Sequence, residues 1–174
     1  DVGEIAAAVA AALPGQQLGI HCHNDSGCAV ANTLAAVRAG VTQVQGTVNG
    51  CGERVGNTDL RTVVADLDLK MGCTCVGEDN LRDLTSVSQF VAEACNLSVP
   101  AHHPYTGASA FAHKGGLHAS AIARFPEAYE HTRPESVGNV QRMLVSELAG
   151  KASLVAKARG LGIRLDEHPE KTQA

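Results

Sequence analysis

The sequence predicts an α/β fold, with parallel strands joined by a crossover helix as in a sheet or barrel, followed by a mainly helical appendage. Three observations carry this. Two short apolar runs with strand character, residues 17–22 and 42–48, lie about 20 residues apart. An amphipathic helical stretch separates them, and parallel strands need such a crossover. After Gly72 the strand pattern stops and helical periodicity takes over.

Taken in order, residues 3–12 are an Ala-rich helix closed by Pro14-Gly15, and "QLGIHC" (17–22) is a strand. "CAVANTLAAVRAG" (28–40) is a helix with Val30, Leu34 and Val37 on one face and Gly40 as its stop. "TQVQGTV" (42–48) is the second strand, and the loop "NGCGERVGN" (49–57) leads into a helix over 58–71. That helix carries a stripe of Leu60, Val63, Val64, Leu67 and Met71. In the second half, "NLRDLTSVSQFVAEAC" (80–95) predicts one amphipathic helix capped by Asn80, with Leu81, Leu84, Val87, Val91 and Ala94 buried. "SVPAHHPYTG" (98–107) is a Pro-containing connector. Helix is expected in part of 108–125 and over 150–161, with no strand in this half and a mobile tail "DEHPEKTQA". The division falls near residue 75, giving units of 1–75 and 76–174.

Composition narrows the function classes. The 174 residues are 44% apolar but only 3% aromatic, without Trp, so a core must come from Ala, Val, Leu and Ile. A net charge of −4 and no long basic run argue against nucleic acid or an anionic membrane as partner. No apolar stretch approaches the ~20 residues of a membrane span. The N-terminal stretch has acids where a signal peptide needs bases, which suggests a cytoplasmic location. The chain begins at Asp1 rather than Met, as a segment of a longer protein would. Six cysteines (Cys22, Cys28, Cys51, Cys73, Cys75 and Cys95) fall in apolar or helical patterns and read as reduced, mostly buried thiols. Cys73 and Cys75 lack a second pair at ligand spacing, which weighs against a cysteine metal site.

"GIHCHNDSG" (19–27) ends the first strand. Chemistry gathers at the C-terminal ends of parallel strands. Residues i and i+2 of a strand share a face, so His21 and His23 project together and Cys22 points the other way. Two imidazoles so placed are half of a divalent metal site, or else two histidines satisfied by backbone partners. Asn24 and Asp25 are candidate acceptors for fixing the imidazole tautomers. Asn57, ending the glycine-rich loop after the next strand, is a candidate third ligand through its amide oxygen, or a plain helix cap. Glu53 and Arg54 are candidates for a buried pair shaping that loop, and Gly50, Gly52 and Gly56 permit its backbone. A third cluster, "HKGGLHASAIARFPEAYEH" (113–131), holds His113, Lys114, His118, Tyr129 and His131. Its alternative is a polar, solvent-facing linker.

"HCHNDSGCAVANTLAAVRAG", "VQGTVNGCGERVGN" and "HKGGLHASA" together resemble the acyl-CoA-condensing branch of the metal-dependent TIM-barrel lyase and synthase superfamily. That branch holds the 2-isopropylmalate, homocitrate and citramalate synthases. The run from "HKGG" through "YEHTRPESVGNVQRMLVSELAGKASL" is most similar to the citramalate synthase type. The resemblance reaches to about residue 165 and implies that the chain holds the last two β/α units of a TIM barrel followed by a helical lid subdomain. The Arg-Asp/Glu signature of an early strand is absent from this sequence, and with it an aspartate ligand, a substrate-binding arginine and a glutamate. A chain of this extent is expected to be inactive alone.

The implied reaction condenses acetyl-CoA with a 2-oxo acid, pyruvate for the citramalate type, with a divalent metal (Mg, Mn or Zn) polarising the carbonyl. It belongs to branched-chain amino-acid biosynthesis. By motif match His21 and His23 are metal ligands and Asn57 completes or supports the sphere. His118 and Tyr129 match the catalytic pair of the appendage, which in this family reaches over the neighbouring subunit of a homodimer. His113 is the weaker candidate, one turn from the site. Other oxo acids, an aldol-cleaving lyase of the same superfamily, and a non-catalytic module are the competing readings.

Overall fold

A computed structural model describes residues 1–114, 121–122, 124–144, 155, 157–158 and 161–163. The first half is the expected alternation. Helix α1 (Val2–Ala12) starts at Asp1, whose carboxylate accepts from the Gly3 and Glu4 amides. Strand β1 (Gly19–His21), helix α2 (Ala29–Arg38) and strand β2 (Gln43–Gln45) follow. β1 and β2 pair in parallel, with Gly19 opposite Gln43 and His21 opposite Gln45. A short 3-10 turn (Val48–Gly50) opens the loop that leads to helix α3 (Leu60–Lys70), capped by Asp59.

The apolar stripes are placed correctly only in part. In α2 the buried residues are Ala29, Thr33 and Ala36, while Val30, Leu34 and Val37 are half-buried one position around. Small side chains let α2 seat closely, and the larger ones flank the contact. In α3 Val63 and Leu67 are buried as expected, but so are Arg61, Thr62 and Ala65.

The second half departs further. The single helix expected over 80–95 is two: α4 (Glu78–Leu81) and α5 (Leu84–Ala94). Asp83, not Asn80, stands before α5. Leu81 is buried, but the inward face of α5 is Thr85, Ser88 and Ala92. Val87 is 43% exposed and Ala94 lies outside. Polar partners turn the helix: Thr85 donates to the Val137 carbonyl (2.7 Å), and the Ser88 carbonyl accepts from Asn49 (3.0 Å). A strand pair, unexpected in this half, joins β3 (Ala112–His113) and β4 (Arg142–Met143) in parallel. Residues 121–122 and 124 are helical.

One hydrophobic cluster gathers Ala65 of α3 with Leu81, Tyr105, Phe111 and Val137. It therefore joins residues from both sides of residue 75. None of the cysteines is disulfide-bonded, and none is buried: each is half-buried or exposed. Among the described residues no helix is long and apolar enough to cross a membrane.

Candidate functional site

β1 ends at His21, and the chain then runs antiparallel to the end of the glycine-rich loop. Asn24 N donates to the Gly56 carbonyl (2.9 Å) and Thr58 N to the Cys22 carbonyl (3.0 Å). His23 and Asn57 form a bridge pair between these segments. Directly opposed residues of such a pair share a face, so Asn57 joins the face of the two histidines. Thr58 Oγ1 closes the junction from behind, at 3.1 Å from the Cys22 carbonyl and 3.1 Å from Thr33 Oγ1 of α2.

His21 and His23 do project together. Their Nε2 atoms lie 3.3 Å apart, with ring centroids at 5.1 Å and planes at 63°. Two imidazoles on one divalent ion, each at about 2.0–2.1 Å, have nitrogens separated by about 3.0–3.4 Å. The spacing fits that geometry; it also fits an imidazole-to-imidazole hydrogen bond. One orphaned atom on this face favours a cation: Asn57 Oδ1 is buried and has no hydrogen-bond partner. His23 Nδ1 is also buried without a partner, but it lies across the ring from Nε2 and faces away from the gap between the two imidazoles. The Asn57 amide is oriented by Nδ2, which donates to the Cys51 carbonyl (2.9 Å), leaving its oxygen as an unsatisfied acceptor. The residues present thus suit a divalent ion as a partial donor set of two imidazoles and one amide oxygen. Among the described residues no three His, Cys, Asp or Glu converge to complete one.

Glycine makes the loop possible at two positions. Gly56 has φ +118°, and a Cβ there would collide with the Gly50 carbonyl; a Cβ on Gly52 would collide with the Asn57 amide nitrogen. Any side chain at position 52 would therefore push the Asn57 side chain away.

Two expectations about neighbouring residues fail. Asn24 and Asp25 do not hold the imidazoles: Asn24 Oδ1 accepts from the Ala29 amide at the start of α2 (3.2 Å), and Asp25 takes Arg54 in a two-pronged pair at 2.7 and 2.9 Å. The buried Glu53–Arg54 pair does not form, because Arg54 at φ +56° turns toward Asp25 on an exposed surface. The Arg54 hydrogen bonds hold the Asp25 carboxyl below its ordinary range.

Behind the loop lies a buried polar cluster that the sequence did not announce. Arg61, 2% exposed, donates from Nε to Asp59 Oδ1 (2.9 Å), and from Nη1 to Ser88 Oγ (2.7 Å) and Thr106 Oγ1 (2.9 Å). Asp59 Oδ2 accepts from Thr62 Oγ1 and faces His103 Nε2, both at 3.0 Å. Burial pushes the Asp59 carboxyl up, but the His103 and Arg61 hydrogen bonds outweigh it and hold the group at about 2. A signal existed: Arg61 is the second residue of a helix, where the macrodipole disfavours a cation, and it lies beside the apolar stripe. Such a residue needs a carboxylate close by.

Of the appendage residues, His118 lies outside the described residues. Tyr129 follows the 3-10 turn Pro126–Ala128 and is 44% exposed. His113 sits half-buried in β3, with Nε2 at 3.2 Å from Glu130 Oε1, next in sequence to Tyr129. His131 stacks on Phe111 and meets Tyr105 edge-on.

Comparison with known proteins gives two family matches: "HMGL-like" over residues 1–91 and "homocitrate synthase post-HMGL domain-like" over residues 105–173. The (R)-citramalate synthase of Geobacter sulfurreducens is 57% identical over 86% of this chain and 28% of its own length. That of Streptomyces coelicolor is 56% identical over 93% of this chain and 31% of its own. A homocitrate synthase of Saccharolobus solfataricus is 37% identical over 94% of this chain and 35% of its own. The chain thus spans about a third or less of the curated relatives it matches.

Proposed function

Because this chain belongs to the HMGL-like family, we propose that the whole protein condenses acetyl-CoA with pyruvate to give citramalate. The observation that carries this reading is the gradient of similarity, from 57% and 56% identity to (R)-citramalate synthases down to 37% for the homocitrate synthase. In the same reading residues 1–75 are the last two β/α units of a TIM barrel, and 76–174 are its lid subdomain.

His21 and His23 present Nε2, and Asn57 presents Oδ1, to one divalent metal. That metal, Mg, Mn or Zn, supplies a Lewis acid for the oxo acid's carbonyl. Asn57 is held for the task by the Cys51 carbonyl, and the Asp25–Arg54 pair pins the loop to the strand tip. His118 carries protons near pH 7, with Tyr129 as its partner. Both are delivered to the neighbouring subunit of a homodimer. Glu130, through its contact with His113, anchors the segment that bears Tyr129.

The test is a product assay on the whole enzyme with acetyl-CoA and either pyruvate or a longer 2-oxo acid. Citramalate formed in preference supports the assignment; faster turnover of the longer acid moves it to another synthase. Replacing His21 by Ala is expected to remove most activity, and replacing His113 by Ala to leave more of it. Equal losses in equally stable proteins would contradict the ligand assignment.

A further inference from the structure

Both stems of the loop that carries Asn57 converge on one buried point. Asn49, at the entry and in the left-handed region (φ +67°), donates from Nδ2 to the Ser88 carbonyl (3.0 Å) and accepts from Ser88 Oγ at Oδ1 (3.0 Å). At the exit, Asp59 follows Asn57 by two residues and is gripped by Arg61. The same guanidinium donates to Ser88, closing the circuit from entry to exit, and to Thr106 in the segment beyond α5. Asn139 adds a second tie there, donating to the carbonyls of Tyr105 (2.8 Å) and Gly107 (3.1 Å) on either side of Thr106.

We propose that Arg61 is a positioning residue: through Asp59, Ser88 and Thr106 it fixes the loop that presents Asn57, and it makes that geometry depend on the segment after α5. The inference rests on Asn57 being a metal ligand only for its functional consequence; the mechanical part stands on the hydrogen bonds alone. An arginine suits the position because its planar fork donates to several acceptors in fixed directions. A lysine has a single ammonium and cannot reproduce that spread. Thr106 is tied to the cluster by its bond from Arg61, so an effect of Thr106 on the loop travels through the guanidinium, whereas Ser88 also holds Asn49 at the loop's entry directly.

The experiment is amide hydrogen exchange on the metal-free chain, comparing Thr106→Val, Ser88→Ala and Arg61→Lys with the parent sequence. Thr106→Val is nearly isosteric and is the variant that keeps the test valid if Arg61→Lys folds poorly. Expected is exchange at Gly56, Asn57 and Thr58 faster by about tenfold, an opening cost near one hydrogen bond, with α1 and α2 amides unchanged. Zn(II) titration of the same variants should show about tenfold weaker binding, the size of effect that lost outer-shell support produces. Unchanged loop exchange in Thr106→Val overturns the proposal. So does acceleration spread equally over α1 and α2, which would make the cluster a general stabiliser. His21→Ala separates the two readings: if it leaves Zn(II) binding intact, the metal assignment fails while the loop result still decides the positioning role.

Discussion

Helices α1 and α3 are both eleven residues long and flank the same pair of parallel strands, yet one is bare and the other embedded. α1 is the more apolar, with Glu4 its only charged residue, but none of its residues is buried and Ile5 is 64% exposed. α3 carries Arg61, Asp66, Asp68 and Lys70 and buries five residues, among them the arginine. Burial here follows what a helix packs against rather than how apolar it is. α3 meets the Leu81, Tyr105, Phe111 and Val137 cluster and the polar knot around Asp59. α1 packs mainly on α2; its Ile5 and Val9 border an open groove with Leu18, Ile20 and Val41, and they stay largely exposed, as does Leu13 at its end.

The largest expected effect breaks the embedded side. Arg61→Met removes the guanidinium and leaves the Asp59 carboxylate buried with His103 and Thr62 as its remaining side-chain partners. Breaking a buried charge pair by deleting one member costs about 3–5 kcal/mol, read as a loss of unfolding free energy in urea. A cost below about 1 kcal/mol would mean that water or His103 already compensates the carboxylate. Leu81→Ala comes next, at about 2–5 kcal/mol, since Leu81 is 1% exposed within the hydrophobic cluster of Ala65, Tyr105, Phe111 and Val137.

This contrast also marks what the sequence could reveal. The His21/His23 face followed from strand alternation, and the parallel strand pair from the intervening helix, because both are local periodicities. The buried face of α5 did not. Its apolar residues Val87 and Phe90 are exposed, while Thr85 and Ser88 turn inward to meet Val137 and Asn49, partners distant in sequence. Arg54 was expected to pair with its neighbour Glu53 but found Asp25, brought close only when the loop folds back on the strand tip. The β3–β4 pair is two residues on each side, too short to leave a pattern. Sequence periodicity marks which residues can share a face; contacts across the fold decide which face is used.

Alkaline pH probes the edge of the embedded side. Tyr105 is 3% exposed, adopts φ +61°, and donates its hydroxyl to Asp66 Oδ1 at 2.5 Å. Burial first, then the Asp66 hydrogen bond and charge, push its phenol above the usual range. A group whose folded pKa is raised contributes stability that is complete below its unfolded pKa, about 10 for tyrosine, and is lost as pH rises beyond it. In a Tyr129→Phe background, Tyr105 is the remaining tyrosine. Its phenolate absorbance should appear only above pH ~10 and together with unfolding. Smooth titration near 10 in folded protein would show that the ring is reachable by solvent.

The smallest effect is expected at the bare helix. Ile5→Ala removes a large side chain that is mostly in water, so little transfer energy is lost. Alanine is also the better helix former, by a few tenths of a kcal/mol over isoleucine, which offsets part of what remains. The net change should fall within about 0.5 kcal/mol, against about 2–5 for Leu81→Ala in the same urea experiment. A loss above about 1 kcal/mol would mean that Ile5 is covered when the chain is in solution. Repeating the measurement at several protein concentrations then separates the two ways of covering it. A loss that grows with concentration identifies a second copy of the chain on the α1 face, and a concentration-independent loss identifies packing within one chain.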